Sequence, residues 1–189
     1  MKKRITRDII IQTTISIANE KGLKNITLKD IADALEIKTP SLYNHLKGID
    51  DLYNILANYG LNKLKECLME ATIGLSGKDA LISMSNEYRK FSRDYPPLYE
   101  STQLVSTFTD VNIEKLSTDI INIISKVISI YNYSQEENIH IIRTLRSYLH
   151  GFINFEQNKL FEMSTSIDKS FTAGLELITN GIEDKYKNI

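Results

Sequence analysis

Residues 26–47 read Ile-Thr-Leu-Lys-Asp-Ile-Ala-Asp-Ala-Leu-Glu-Ile-Lys-Thr-Pro-Ser-Leu-Tyr-Asn-His-Leu-Lys. Their pattern predicts two short helices joined by a tight turn. Thr27, with Asp30 three residues on, is a capping box in which two side chains satisfy backbone N–H groups that a first helical turn leaves unpaired. Ile31, Ala32 and Leu35 recur at the three- and four-residue spacing of a buried helical face. Thr39-Pro40 predicts the second start, a hydroxyl N-cap followed by proline at the first helical position, where its missing N–H has no consequence. Leu42 and Leu46 point back into the same core, which turns Ser41, Tyr43, Asn44 and His45 outward. Ala32 is small where the helices cross, and Ile37 and Leu42 are apolar where they pack. The pattern fits a helix-turn-helix whose second helix carries side chains of the types that reach phosphates and base edges. An ordinary helical hairpin with a tyrosine and a histidine on its surface is the plainer reading of the same residues.

The flanks favour the first reading. Met1-Lys2-Lys3-Arg4-Ile5-Thr6-Arg7 is a basic arm. Thr6 can cap a helix from about Arg7 to Lys21, with Ile10, Thr14, Ile17 and Ala18 inside and Gly22 as a left-handed end. Gly48 breaks the chain, and Asp50-Asp51 opens a longer helix whose acidic first turn suits the helix dipole. Leu52, Ile55, Leu56, Tyr59, Leu64 and Leu68 carry its apolar face. Taken together, Glu20-Lys21-Gly22, Ile26-Thr27-Leu28, Asp30-Ile31-Ala32, Ser41-Leu42-Tyr43, His45-Leu46-Lys47 and Asp51-Leu52 resemble the DNA-binding domain of the TetR family of bacterial transcriptional regulators, densely so over residues 7–60.

The resemblance implies that Thr27 and Lys29 hold the DNA backbone. It further implies that Thr39, Pro40, Ser41, Tyr43, Asn44 and His45 supply the groove and phosphate surface, and that Lys47 clamps a phosphate. Asn44 is the side chain best suited to read a base, because adenine pairs bidentately with an amide. One position departs from the family: Glu36 stands where most members carry glycine. A left-handed conformation costs a residue with a Cβ roughly 1–2 kcal/mol, so a strained or rearranged turn is expected there.

The chain of 189 residues is 42% hydrophobic and 25% charged, enough for a small domain and a larger one. No run of about 18 apolar residues predicts a membrane span, and no signal peptide precedes the basic arm. The single cysteine, Cys67, rules out an internal disulfide framework and fits a reducing cytoplasm, as an apolar filler or, less simply, a redox sensor. The net charge of −1 hides an asymmetry: residues 1–65 hold 11 Lys and Arg against 7 Asp and Glu, and the remainder 12 against 17. A basic N-terminal third suits a polyanion.

Everything after residue 50 reads as helix. Gly74–Gly77 ends the fourth, and a fifth runs from about Lys78 to Asp94 with Leu81, Met84, Tyr88 and Phe91 on one face. Pro96-Pro97 stops it, a short helix follows from Pro97 to about Thr107, and Asp110 to about Tyr131 forms the next. Ser134 with Glu137 is a second capping box, opening a helix to about Lys159. Ser166 opens the last, ending near Gly181. Ile139, Ile142, Leu145, Leu149, Phe152 and Ile153 stripe the penultimate helix, and Phe171, Leu175 and Ile178 the last, each wide enough to face a core and a partner chain together. By the family resemblance these two helices form a four-helix dimer interface, with Leu145, Leu149, Phe171, Leu175 and Ile178 in it, and the twofold axis suits a palindromic operator. Residues 80–182 also resemble, more weakly, the subgroup with a Trp-His-Gly signature, here His150-Gly151 without the tryptophan.

No further chemistry is suggested. His140 and His150 lie about 15 Å apart along one helix and share no metal; no ligand cluster, phosphate loop or catalytic grouping is present, so neither cofactor nor enzymatic activity is expected. His150-Gly151 reads as tight packing or as a ligand contact. The aromatics, Phe108 and Phe155 included, read mostly as core, although such helices often enclose a ligand cavity. Tyr88, Phe91, Tyr95, Tyr148, His150 and Phe152 are the effector candidates. The resulting expectation is an all-α, cytoplasmic, homodimeric regulator with a helix-turn-helix DNA-binding domain over 1–50 (motif 27–47) and an effector-binding and dimerisation domain over 51–189. The resemblance implies a repressor released by a small molecule; the alternative is a helical protein-interaction module with an incidental helix-turn-helix.

Overall fold

Local signals place most helix starts. The Thr6 hydroxyl accepts the Ile9 N–H at 3.3 Å and opens α1, Arg7–Lys21. The predicted box at Thr27 and Asp30 opens α2, Leu28–Ala34, and that at Ser134 and Glu137 opens α8, Gln135–Gln157. Between them lie α3 (Thr39–Leu42), α4 (Ile49–Ala71), α5 (Gly77–Asp94), α6 (Pro96–Gln103) and α7 (Val111–Ile128), and α9 (Ile167–Lys187) closes the chain. This computed structural model describes residues 5–104 and 110–187; the first four residues of the basic arm, Phe108 and the predicted helix end near Thr107 lie outside them. Among the described residues there are nine α-helices and no strand, and no helix is long and apolar enough to cross a membrane.

Three boundaries differ from expectation. Gly22 takes the positive φ expected of it, 81°, but its ψ of 144° lies outside the left-handed helical region, because the chain passes straight into a 3-10 turn at Leu23–Asn25. Lys38, not Thr39, is the N-cap of α3, no side chain caps that helix, and Pro40 is its second residue. The last helix runs past Gly181 to Lys187, since a glycine inside a helix weakens it without ending it.

Compactness divides the chain into two units. One comprises residues up to Lys63 together with Asp94–Leu116; the other comprises Leu64–Arg93 and Ser117 onward. The boundary expected at 50/51 falls inside the first turn of α4, where acidic residues mark a helix start and the backbone runs on unbroken. In the first unit α2 packs on α1 and α3, and α6 packs on α1. Ile10, Leu23, Ile31, Leu42, Leu52 and Leu98 form its core. Gly60 permits close approach of α4 to α6, since a Cβ there would stand 3.0 Å from the Leu98 carbonyl oxygen. In the second unit Leu68, Leu81, Phe91, Ile124, Leu145 and Phe171 are buried.

Candidate nucleic-acid interface

The helix-turn-helix is built from its caps inward. The Thr27 hydroxyl accepts the Asp30 N–H at 3.2 Å while Asp30 accepts the Thr27 N–H at 2.9 Å. Lys21 reaches the same carboxylate at 2.6 Å and ties the end of α1 to the start of α2. That lysine, then the Thr27 hydroxyl and N–H, hold the Asp30 carboxyl down at about 2. Behind the cap, Ile31, Ala32 and Leu42 have no exposed surface, which fixes how α2 and α3 cross.

The turn between them is a Schellman motif. The Ile37 N–H reaches the Ala32 carbonyl at 3.0 Å and the Glu36 N–H reaches that of Asp33 at 3.1 Å. That pattern needs a left-handed residue between, and Glu36 supplies it at φ 55°. The family's geometry is therefore kept without glycine, and the turn is strained, not rearranged.

The α-helical part of α3 is four residues long, shorter than expected. Beyond Leu42 it continues as tight turns, with His45 N–H on the Leu42 carbonyl at 2.8 Å, and Leu46 N–H on the same oxygen at 3.1 Å. Leu46 is buried and anchors this extension. Pro40, Ser41, Tyr43, Asn44 and Lys47 are exposed, Tyr43 by 57%, whereas Thr39 and His45 are half-buried. Asp51 accepts the Lys47 N–H at 2.8 Å and holds the backbone under that lysine. Thr27 and Lys29 are exposed on the neighbouring helix, although the Thr27 hydroxyl already donates to Asp30 at 2.8 Å. Lys38, exposed at the start of α3, joins this face. Its signal was a lysine directly before the Thr-Pro helix start.

The effector candidates divide. Tyr95 belongs to the first unit, where the Lys63 ammonium lies 4.6 Å from its ring centre. Tyr88, Phe91, Tyr148, His150 and Phe152 belong to the second. The Tyr88 hydroxyl lies 3.2 Å from His150 Nε2, with the rings edge to face. Burial, and then the charge of Arg146, lower His150 to about 4, so its imidazole is neutral near pH 7. Phe91 is fully buried, and Phe152 sits among Tyr148, Phe161 and Phe171 with ring centres 4.8–5.8 Å away. Both are packed side chains. The Tyr148 hydroxyl donates to the Phe171 carbonyl at 2.6 Å, and its ring fills the space beside Gly174. It is Gly174, not Gly151, that marks close packing; Gly151 faces open space. Sequence reasoning missed Arg89, whose guanidinium lies over Phe171 and Phe152 and grips Glu156 in a bidentate pair at 2.6 and 2.9 Å.

The interface candidates need a correction. Leu145, Leu149, Phe171 and Leu175 are each no more than 3% exposed within a single chain, so they have no surface left for a partner. Ile178 is half-buried, and the large apolar side chains left exposed on α8 and α9 are Ile139, Phe155, which is therefore not core, and Leu177, the last 77% exposed.

A capped helix-turn-helix with a sealed core and an outward row of amide, hydroxyl, phenol and lysine defines an all-α DNA-binding protein of the helix-turn-helix class. Residues 81–178 match the tetracyclin repressor-like C-terminal domain family. The chain is 28% identical over 186 residues to the HTH-type transcriptional regulator YobS of Bacillus subtilis, covering 98% of this chain and 96% of that one. Its fold is shared with SCO7222, a TetR from Streptomyces coelicolor (TM-score 0.75, 12% identity, 95% and 98% of the two chains). It is shared too with a TetR variant from Acinetobacter baumannii AYE in complex with minocycline (TM-score 0.70, 17% identity, 97% and 99%). The chain belongs to the TetR family of DNA-binding transcriptional regulators.

Proposed function

We propose that the protein acts in the cytoplasm as a homodimeric repressor, with residues 1–50 binding a palindromic operator and residues 51–189 binding a small effector and the second subunit. The observation that carries this reading is the α3 surface, where Ser41, Tyr43, Asn44 and Lys47 stand exposed on a backbone fixed by the buried Leu42 and Leu46. Such a surface enters a major groove without first ordering itself. Asn44 reads a base, and Lys47, Lys29 and Lys38 neutralise phosphates. A dimer must hold its two α3 segments about 34–36 Å apart to meet successive grooves. An effector that prefers another spacing shifts the population away from DNA. The continuous α4 is the lever. The minocycline complex of the Acinetobacter protein supports ligand control by analogy, and the Tyr88–His150 pair is the polar contact offered here. The protein works by binding, not catalysis.

Salt dependence tests the reading. Log affinity for the promoter region of its own gene should fall linearly with log salt, by about 0.9 per phosphate neutralised. Lys47→Ala should weaken every sequence alike and flatten that slope by about one unit. Asn44→Ala should instead relax preference at one base pair. A salt-independent association would support the protein-interaction module instead.

A further inference from the structure

The far end of α4 and the end of α7, both in the second unit, enclose a surface that no function above uses. After Ala71 the chain turns through Gly74 at φ 73° and Gly77 at φ 54°. A Cβ on Gly77 would stand 2.6 Å from Ile130 Cδ1 and 2.8 Å from the Tyr131 hydroxyl, so the corner is held by direct packing against the segment following α7. A groove of about 460 Å³ remains beside it, within the size range of small-molecule sites. Met69, Ile73 and Leu75 line one wall, and Ile123 and Val127 the other. Ile73 is 77% exposed, and exposed apolar surface gathered in one place marks a binding site.

Charge selects the occupant. Lys126 is the only charged side chain among the described lining residues, and it is exposed. Thr72 already donates to the Leu68 and Met69 carbonyls, and Ser129 donates to that of Lys126, so the lysine is the groove's cationic donor. We infer that the groove between α4 and α7 binds a free amphiphilic monocarboxylate, its alkyl chain along Met69, Ile73 and Ile123 and its head on Lys126.

Calorimetric titration of the full chain with octanoate, decanoate and dodecanoate, each below its micelle concentration, tests this directly. One carboxylate should bind per chain, and each added pair of methylenes should tighten binding roughly tenfold until the trough is filled. Lys126→Ala should weaken decanoate severalfold and leave decanol unchanged. Ile73→Glu, at a solvent-facing position, should weaken decanoate at least tenfold with an unaltered melting curve and operator affinity. Three results would each overturn the inference: equal affinity for decyltrimethylammonium, unchanged decanoate binding in Ile73→Glu, or binding to anionic vesicles without binding to monomeric decanoate. Loss of operator binding by the wild-type protein would count against the regulatory reading and leave the groove untouched.

Discussion

Glu36 concentrates strain in one residue. Its left-handed backbone is imposed by two hydrogen bonds and by the apolar contacts of Ile31, Ala32 and Leu42 on either side. Glu36→Gly removes roughly 1–2 kcal/mol of strain and adds back about 0.4–1 kcal/mol of unfolded-state freedom. Urea unfolding should therefore show a net gain of about 0.5–1 kcal/mol with an unchanged slope; a loss would mean that the carboxylate itself has a stabilising partner. Asp30 makes a second prediction. Its carboxyl is lower in the folded protein, at about 2, than its ordinary 3.8. The stabilisation is therefore complete above about pH 4 and disappears as pH falls through about 2. Asp30→Asn should flatten the stability profile in that window, and a carbon-detected NMR titration of Asp30 with its midpoint near 4 would refute the linkage.

At the scale of elements, α5, α8 and α9 are joined by charge as well as by apolar packing. Arg89 is buried between Phe171 and Phe152, and Glu156 also accepts from Arg93, which reaches Asp168 at 2.9 Å. Burial pushes the Glu156 carboxyl up, but the hydrogen bonds from Arg89 and Arg93 outweigh it and hold it below its ordinary value. Arg89→Met should cost about 1–3 kcal/mol, because the partly buried Glu156 carboxylate loses its bidentate partner and keeps only Arg93. Adding Glu156→Leu should recover much of that loss, as replacing a buried pair with apolar groups is often neutral. A single-variant cost below about 1 kcal/mol in chemical unfolding would place the pair among solvent-screened surface bridges. Neither arginine stood out in the sequence, where Arg89 reads as one more polar residue beside an apolar stripe.

For the whole molecule, the α8–α9 surface makes the prediction about assembly. A shallow groove of about 270 Å³ runs between these helices, lined in part by Ile141, Thr144, Leu177 and Ile178. Leu177→Arg should yield a folded monomer in sedimentation with normal melting and weakened operator affinity. Leu149→Arg should instead unfold the chain, because it puts a charge into a subunit core. If Leu177→Arg remains dimeric, the second subunit docks elsewhere.

The sequence by itself determined most helix starts and which side chains of the helix-turn-helix stand outside its core. Capping boxes, prolines and apolar spacing are local signals, acting over three or four residues, so Thr27, Asp30, Leu42, Ser134 and Glu137 announce themselves without a fold. Tertiary structure decided what distance along the chain conceals. A helix stripe does not say which neighbour covers it, so Leu145, Leu149, Phe171 and Leu175 read equally as core or interface until packing buries them in one chain. The length of α3, the pairing of Arg89 with Glu156 and the role of Gly174 beside Tyr148 follow the same rule. Each depends on contacts between residues far apart in sequence, whose energies no local pattern encodes.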